Sequence, residues 1–124
     1  MRKAEIKRKT KETNIALSLN LDGEGKSSIS TPFGMLTHML EQISKHASID
    51  LNIKVEGDTE TGSHHVVEDT AIVLGEAFDK ALGDRAGIER MADSTVPLDE
   101  SLSMVAIDLA GRGCLLYTSD AADE

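Results

Sequence analysis

Aromatic residues are nearly missing from this chain: it has two phenylalanines, one tyrosine and no tryptophan among 124 residues. Aliphatic side chains must therefore fill any core, and a hydrophobic content of 40% is enough to build one in a domain of this length. Cysteine is as scarce. The single Cys114 excludes an internal disulfide framework and thiolate-rich zinc sites, so nitrogen and oxygen must hold any metal. Positive charge is also in deficit. Thirteen Lys and Arg face 22 Asp and Glu, a formal charge of −9 that argues against nucleic acid or an anionic membrane as the main partner. No apolar run approaches membrane-spanning length, and Met1-Arg2-Lys3 leads into a polar strand instead of the apolar stretch of a signal peptide. The expectation is a cytoplasmic protein with no membrane and no nucleic acid among its partners.

Histidine, by contrast, is concentrated. Of four histidines, two are adjacent in His64-His65-Val66-Val67-Glu68, at the start of an apolar-periodic segment. On an α-helix His64 and Glu68 are an i,i+4 pair and His65 and Glu68 an i,i+3 pair, so both imidazoles flank one carboxylate. Neighbouring positions diverge by about 100° around the axis. That is too far to chelate one ion comfortably, and it suits two metals, or one metal and one substrate. A solvated pair at a helix start is the plainer alternative. The order differs from HExxH, where the Glu stands between the histidines as a base.

The rest of the chain punctuates itself. Ile15, Leu17, Leu19 and Leu21 alternate with Ala16, Ser18 and Asn20, the period of a half-buried strand. Asp22-Gly23-Glu24-Gly25 turns into a short strand near Ser28 to Ser30. Thr31 is placed to cap the next helix with Pro32 at its first position, and Leu36, Leu40, Ile43 and Ala47 predict its buried stripe. Ile49, Leu51, Ile53 and Val55 alternate through another strand. Ser63 then stands ready to cap a long helix with the buried stripe Val67, Ala71, Leu74, Phe78 and Leu82, ending at Gly83. The order predicts an α+β half-domain: a mostly antiparallel sheet covered on one face by two helices. Sliding the chain by the 88 positions that separate Thr13 from Ser101 sets Leu17 over Val105, Leu19 over Ile107, Leu21 over Leu109 and Gly23 over Gly111. Residues 1–87 then read as a first repeat and 88–113 as the opening strands of a second, whose helices would lie beyond Glu124.

Several segments together carry a family resemblance. Arg8-Lys9-Thr10-Lys11-Glu12-Thr13, Leu36-Thr37-His38-Met39-Leu40-Glu41, His64 to Thr70, Gly83-Asp84-Arg85-Ala86-Gly87-Ile88-Glu89-Arg90 and Pro97-Leu98-Asp99-Glu100 occur in the order and spacing of imidazoleglycerol-phosphate dehydratase, over nearly all of residues 2 to 113. The resemblance implies a duplicated half-domain of the ribosomal protein S5 domain 2 type. It implies loss of water from D-erythro-imidazole-glycerol phosphate to give imidazole acetol phosphate in L-histidine biosynthesis. It also implies a homo-oligomer, a trimer-based shell of 24 subunits in the family, with manganese (Mn2+) sites between subunits and two ions per site.

Carried over residue by residue, the resemblance makes His38, His64, His65 and Glu68 metal ligands and Glu12 the catalytic and substrate-binding carboxylate. It makes His38 to His46 substrate-lining and gives Arg90 and Arg112 the phosphate, which forked guanidinium hydrogen bonds suit. Read without the family, Glu12 is a solvated charge before a strand, His38 lies off the apolar stripe, His46 complements a helix C-terminus, and the arginines are surface cations. The implied reaction removes a proton from an unactivated carbon beside an imidazole and expels hydroxide. Two metals on the ring nitrogens would let the ring carry the electrons, through a diazafulvene-like species, while Glu12 moves protons. Manganese fits imidazole and carboxylate ligands, as iron and zinc also do.

Four departures stand out. Thr37 occupies a position where the family usually has Asp, and Gly62-Ser63 replaces acidic residues before the doublet, which bears on how ligands are oriented. The second half, with its own His doublet, Glu and Lys, is expected to complete the metal sites, so residues 1 to 124 alone should be inactive. Residues 114–124 depart from the family's next strand and resemble the conceptual translation of a transposon-based sequencing adapter, with a divergent genuine tail as the alternative. Two other functions remain open at this stage: a non-catalytic metal- or anion-binding α+β module, and a purely structural assembly domain with no metal dependence.

Overall fold

The computed structural model describes residues 1–115. They divide into two compact units, Met1–Arg85 and a second that begins at Ala86. The first holds β1 (Lys3–Lys9), β2 (Thr13–Asn20), β3 (Ser27–Ser30), α1 (Gly34–Ala47), β4 (Asp50–Gly57) and α2 (His64–Leu82); the second holds β5 (Met91–Leu98) and β6 (Ser101–Asp108).

In the first unit the sheet order is β1-β2-β4-β3, antiparallel except for the parallel β3/β4 pair. Period-two patterning sends Ile15, Leu17 and Leu19 of β2 to one face, directly across from Val55, Ile53 and Leu51 of β4, and all six are buried. Val66, Val73 and Ala77 of α2 and Leu40 of α1 complete this core. The opposite face carries Glu5, Lys7, Ala16, Ser18, Asn52 and Lys54 around a shallow open depression. The α+β half-domain and its helical cover are thus as the sequence patterning indicated.

Helix α2 is rotated from expectation, and α1 keeps only the first half of its predicted stripe, with Leu40 buried and Leu36 packed against the core. The buried side of α2 is Val66, Thr70, Val73, Ala77 and Ala81, one position before the predicted stripe. Small residues sit at the centre of the contact, so the helix can lie close to the sheet, while Leu74 and Phe78 flank it partly buried and Val67 and Ile72 are exposed. Thr70 tolerates burial because its hydroxyl donates to the Val66 carbonyl at 2.6 Å. On α1 the buried residues are Leu40 and Ser44, and the predicted Ile43 and Ala47 are exposed. The Ser44 hydroxyl donates to the Ile49 carbonyl at 2.7 Å, which satisfies a polar group where a hydrophobe was expected.

The caps differ too. Helix α1 begins at Gly34 after an extended Phe33, so Pro32 precedes the helix and does not open it. The Thr31 hydroxyl instead receives the Phe33 N–H at 3.1 Å, donates to the Phe33 carbonyl and meets the Thr37 hydroxyl at 2.8 Å. Ser63 does stand at the N-cap of α2, but its side chain makes no capping bond. Gly83 ends α2 with φ of 59°, a conformation that costs glycine little.

The second unit is a hairpin that repeats the first. An 88-residue offset carries the Lys3↔Asn20 register of β1/β2 onto the Met91↔Asp108 register of β5/β6. The closing bond from Leu21 N–H to the Arg2 carbonyl reappears from Leu109 to Arg90. Every residue of β5 and β6 is exposed. Of the segment 114–124, Cys114 is exposed and unpaired by disulfide, and residues 116–124 lie outside the described residues.

Candidate active site

The His doublet occupies the first turn of α2, because the turn from Asp58 to Ser63 releases the chain from β4 and the buried Val66 then pins the helix start to the sheet. His64 is exposed, and its Nε2 lies 3.2 Å from Glu68 Oε2 across one helical turn. His65 is partly buried. Its Nδ1 is shielded from solvent without a hydrogen-bond partner, an orphaned nitrogen of the kind that a metal or a water would satisfy. The two rings meet edge to face with centroids 5.6 Å apart and planes at 67°.

Glu12 lies in the turn between β1 and β2, and that turn is bolted to the start of α2. The Thr13 hydroxyl donates to Asp69 Oδ2 at 2.6 Å, and the Arg8 guanidinium lies 3.8 Å from Asp69 Oδ1. The Asp58 N–H donates to the Glu12 carbonyl at 2.8 Å. Between them Gly57 has no room for a side chain: a Cβ there would come within 2.8 Å of Val66 Cγ2 and 3.2 Å of the Glu12 carbonyl oxygen. Thr10 organises the turn, donating to Glu12 Oε2 at 3.2 Å and receiving the N–H groups of Glu12 and Thr13, each at 3.1 Å.

Glu12, His64, His65 and Glu68 therefore gather at one end of the first unit. The other candidates do not join them as partners. His38 is exposed on α1, and His46 is exposed in the last turn of α1, its Nε2 3.1 Å from Gln42 Oε1. Arg90, in the second unit, forms a fork with Asp108 at 2.5 and 3.0 Å; that contact raises the arginine's pKa and holds the Asp108 carboxyl below the usual carboxylate range. Arg112 is exposed. Among the described residues, no three His, Cys, Asp or Glu side chains converge as a metal would require. Sequence reasoning assigned no role to Arg8, Thr10, Thr13, Gly57 or Asp69. The signal available was an alternation in which Thr13 falls on the inward-facing parity of β2, a polar residue where a core side chain belongs.

Comparison with known proteins finds relatives of this sequence and solved structures with this fold. A profile described as imidazoleglycerol-phosphate dehydratase matches residues 31–124. The dehydratase of Xanthobacter autotrophicus is 52% identical over 122 residues, which cover 98% of this chain and 62% of that protein. The one from Methanosarcina mazei is 48% identical over 97% of this chain and 63% of its own length. The crystal structure of the Staphylococcus aureus dehydratase superposes with a TM-score of 0.76 at 29% identity, covering 96% of this chain and 68% of that one. The chain belongs to the imidazoleglycerol-phosphate dehydratase family, and it spans about three fifths of the length of the curated relatives it matches.

Proposed function

We propose that a full-length protein carrying this chain dehydrates D-erythro-imidazole-glycerol phosphate to imidazole acetol phosphate and water in L-histidine biosynthesis. The observation that carries this reading is the gathering of His64, His65, Glu68 and Glu12 at one end of the half-domain, with a histidine nitrogen left unpartnered. His64, His65 and Glu68 would hold manganese, and the orphaned Nδ1 of His65 fits that use; His38, which does not join them within this chain, would serve as a ligand to the site of another subunit. Bound metal supplies the electron withdrawal that an imidazole ring needs before a carbon beside it gives up a proton. Glu12, exposed and with one carboxylate oxygen free of Thr10, is the group that takes and returns protons. Arg90 and Arg112 bind the phosphate, which for Arg90 means exchanging one forked anion, Asp108, for another.

Residues 1 to 124 alone are inactive on this reading, because no three ligands converge among the described residues and further ligands must come from more of the protein or another subunit. That requirement supports a homo-oligomer, the trimer-based shell of the family. No described helix is long and apolar enough to cross a membrane, and we place the enzyme in the cytoplasm.

Turnover of imidazole glycerol phosphate by the purified full-length protein with manganese tests the proposal. Glu12→Gln should retain metal and lose about 100-fold or more in rate, while His64→Ala and His65→Ala should each lose metal by elemental analysis. Metal binding without turnover would favour a non-catalytic metal-binding module, and full manganese occupancy without either histidine would overturn the ligand roles.

A further inference from the structure

We infer that Asp69 is a positioning residue that sets the placement of the Glu12 carboxylate relative to the His-bearing end of α2; the inference rests on the function proposed above. Asp69 follows Glu68 directly, so on the helix its side chain departs about 100° away. Glu68 faces solvent and His64, whereas Asp69 points at the sheet and its side chain is only 14% exposed. There it accepts the Thr13 hydroxyl at 2.6 Å, a short charge-assisted bond.

Counting protons makes the link directional. A carboxylate only accepts, so the one hydroxyl proton of Thr13 is committed to Asp69 and the Thr13 oxygen is left as an acceptor. The Thr10 hydroxyl donates to Glu12 Oε2 at 3.2 Å and lies 3.2 Å from Thr13 Oγ1, so its one proton serves Glu12 while the Thr13 oxygen is the competing acceptor. The chain Asp69–Thr13–Thr10–Glu12 thus runs from the helix to the proposed acid/base through the Thr13 hydroxyl on Asp69, the Thr13 N–H on Thr10 Oγ1 and the Thr10 hydroxyl on Glu12. An Asn at position 69 can donate its amide to the Thr13 oxygen, which changes how that oxygen competes for the Thr10 proton and so whether Thr10 serves Glu12. The Asp58 bond to the Glu12 carbonyl and the packing at Gly57 do not involve Asp69 and would remain, so the loosening falls on the Glu12 and Thr13 N–H groups that Thr10 receives.

The test uses the full-length enzyme with manganese and compares Asp69→Asn, Thr13→Val, Thr13→Ser and the Asp69→Asn/Thr13→Val double variant. Misplacing a reacting group by about 1 Å costs about 100-fold, so Asp69→Asn is expected to lower kcat by about 10- to 100-fold with KM and metal content near those of the parent. Thr13→Val should do the same, Thr13→Ser should keep most of the parental kcat, and the double variant should be no worse than either single, because both break one path. Amide hydrogen exchange should quicken at Glu12 and Thr13 and stay unchanged through β4. Parental kcat in Asp69→Asn, additive losses in the double variant, or unchanged exchange at Glu12 and Thr13 would each overturn the inference. A parent that fails to turn over substrate would sink the proposed reaction instead, and the exchange measurement would still decide the anchoring.

Discussion

The two hairpins of this chain share a register and differ in almost everything that follows from it. Leu19 in β2 and Ile107 in β6 occupy matched positions under the 88-residue offset, each paired with an alanine across the ladder, Ala4 and Ala92. Leu19 is 1% exposed and Ile107 is 55% exposed. The ladder alone, then, does not bury a strand. What buries β2 is α2 packed along it and β4 bonded to its free edge, and among the described residues β6 has neither. A β-pattern in sequence states which face would be buried; whether it is depends on elements elsewhere in the fold.

The largest contrast should come from truncating the matched pair. Leu19→Ala is expected to destabilise the first unit by about 2–5 kcal/mol, the usual cost of a large-to-small change in a packed core. Ile107→Ala in the same chain should stay within about 0.5 kcal/mol, as at exposed positions generally. Urea unfolding of both variants of residues 1–124 checks this, and equal losses would show that β6 is covered in solution.

A smaller effect is expected at Gly57, the last residue of β4, which packs between the Glu12 turn and Val66 of α2. Gly57→Ala places a methyl 2.8 Å from Val66 Cγ2, and the shift needed should cost about 1–3 kcal/mol. Because the clash lies between the Glu12 turn and the start of α2, amide chemical shifts should move at Glu12, Thr13 and His65 and leave β5 and β6 untouched. Unchanged melting would mean that the turn yields without strain.

The smallest effect concerns the arginine that opens each hairpin. Arg2 pairs with Asp22 and Arg90 with Asp108, and in each case the hydrogen bond from the arginine side chain holds the aspartate below its ordinary range. A depressed folded-state pKa contributes stability that is present above the ordinary carboxylate range and is lost as pH falls through the depressed value. Both pairs are solvent-exposed, so the contributions should be slight and screened by salt. Melting temperatures of Asp22→Asn and Asp108→Asn should lie just below the parent's near neutral pH and converge with it in acid. A gap that persists at low pH would assign the effect to something other than charge.

Much of this was readable from residues alone. Period-two runs identified β2 and β4, the spacing of His64, His65 and Glu68 identified one helix end as chemically unusual, and the 88-residue offset identified a second hairpin whose register the structure reproduces. These are local or repeated properties, which side-chain alternation and helical spacing encode directly. The rotation of α2 was not readable, because its apolar residues are broad enough to support two stripes, and only the sheet selects Val66, Thr70, Val73, Ala77 and Ala81 by admitting the small ones. Ser44 and Thr70 became core residues for the same reason: a carbonyl within reach satisfied each hydroxyl, and that carbonyl is a product of folding. The link from Asp69 through Thr13 and Thr10 to Glu12 spans 56 residues of sequence between Thr13 and Asp69. No periodicity carries such a contact. Sequence determined which residues could do chemistry, and tertiary structure alone decided which of them meet, because a half-buried carboxylate takes whatever donor the packing of helix against sheet brings to it.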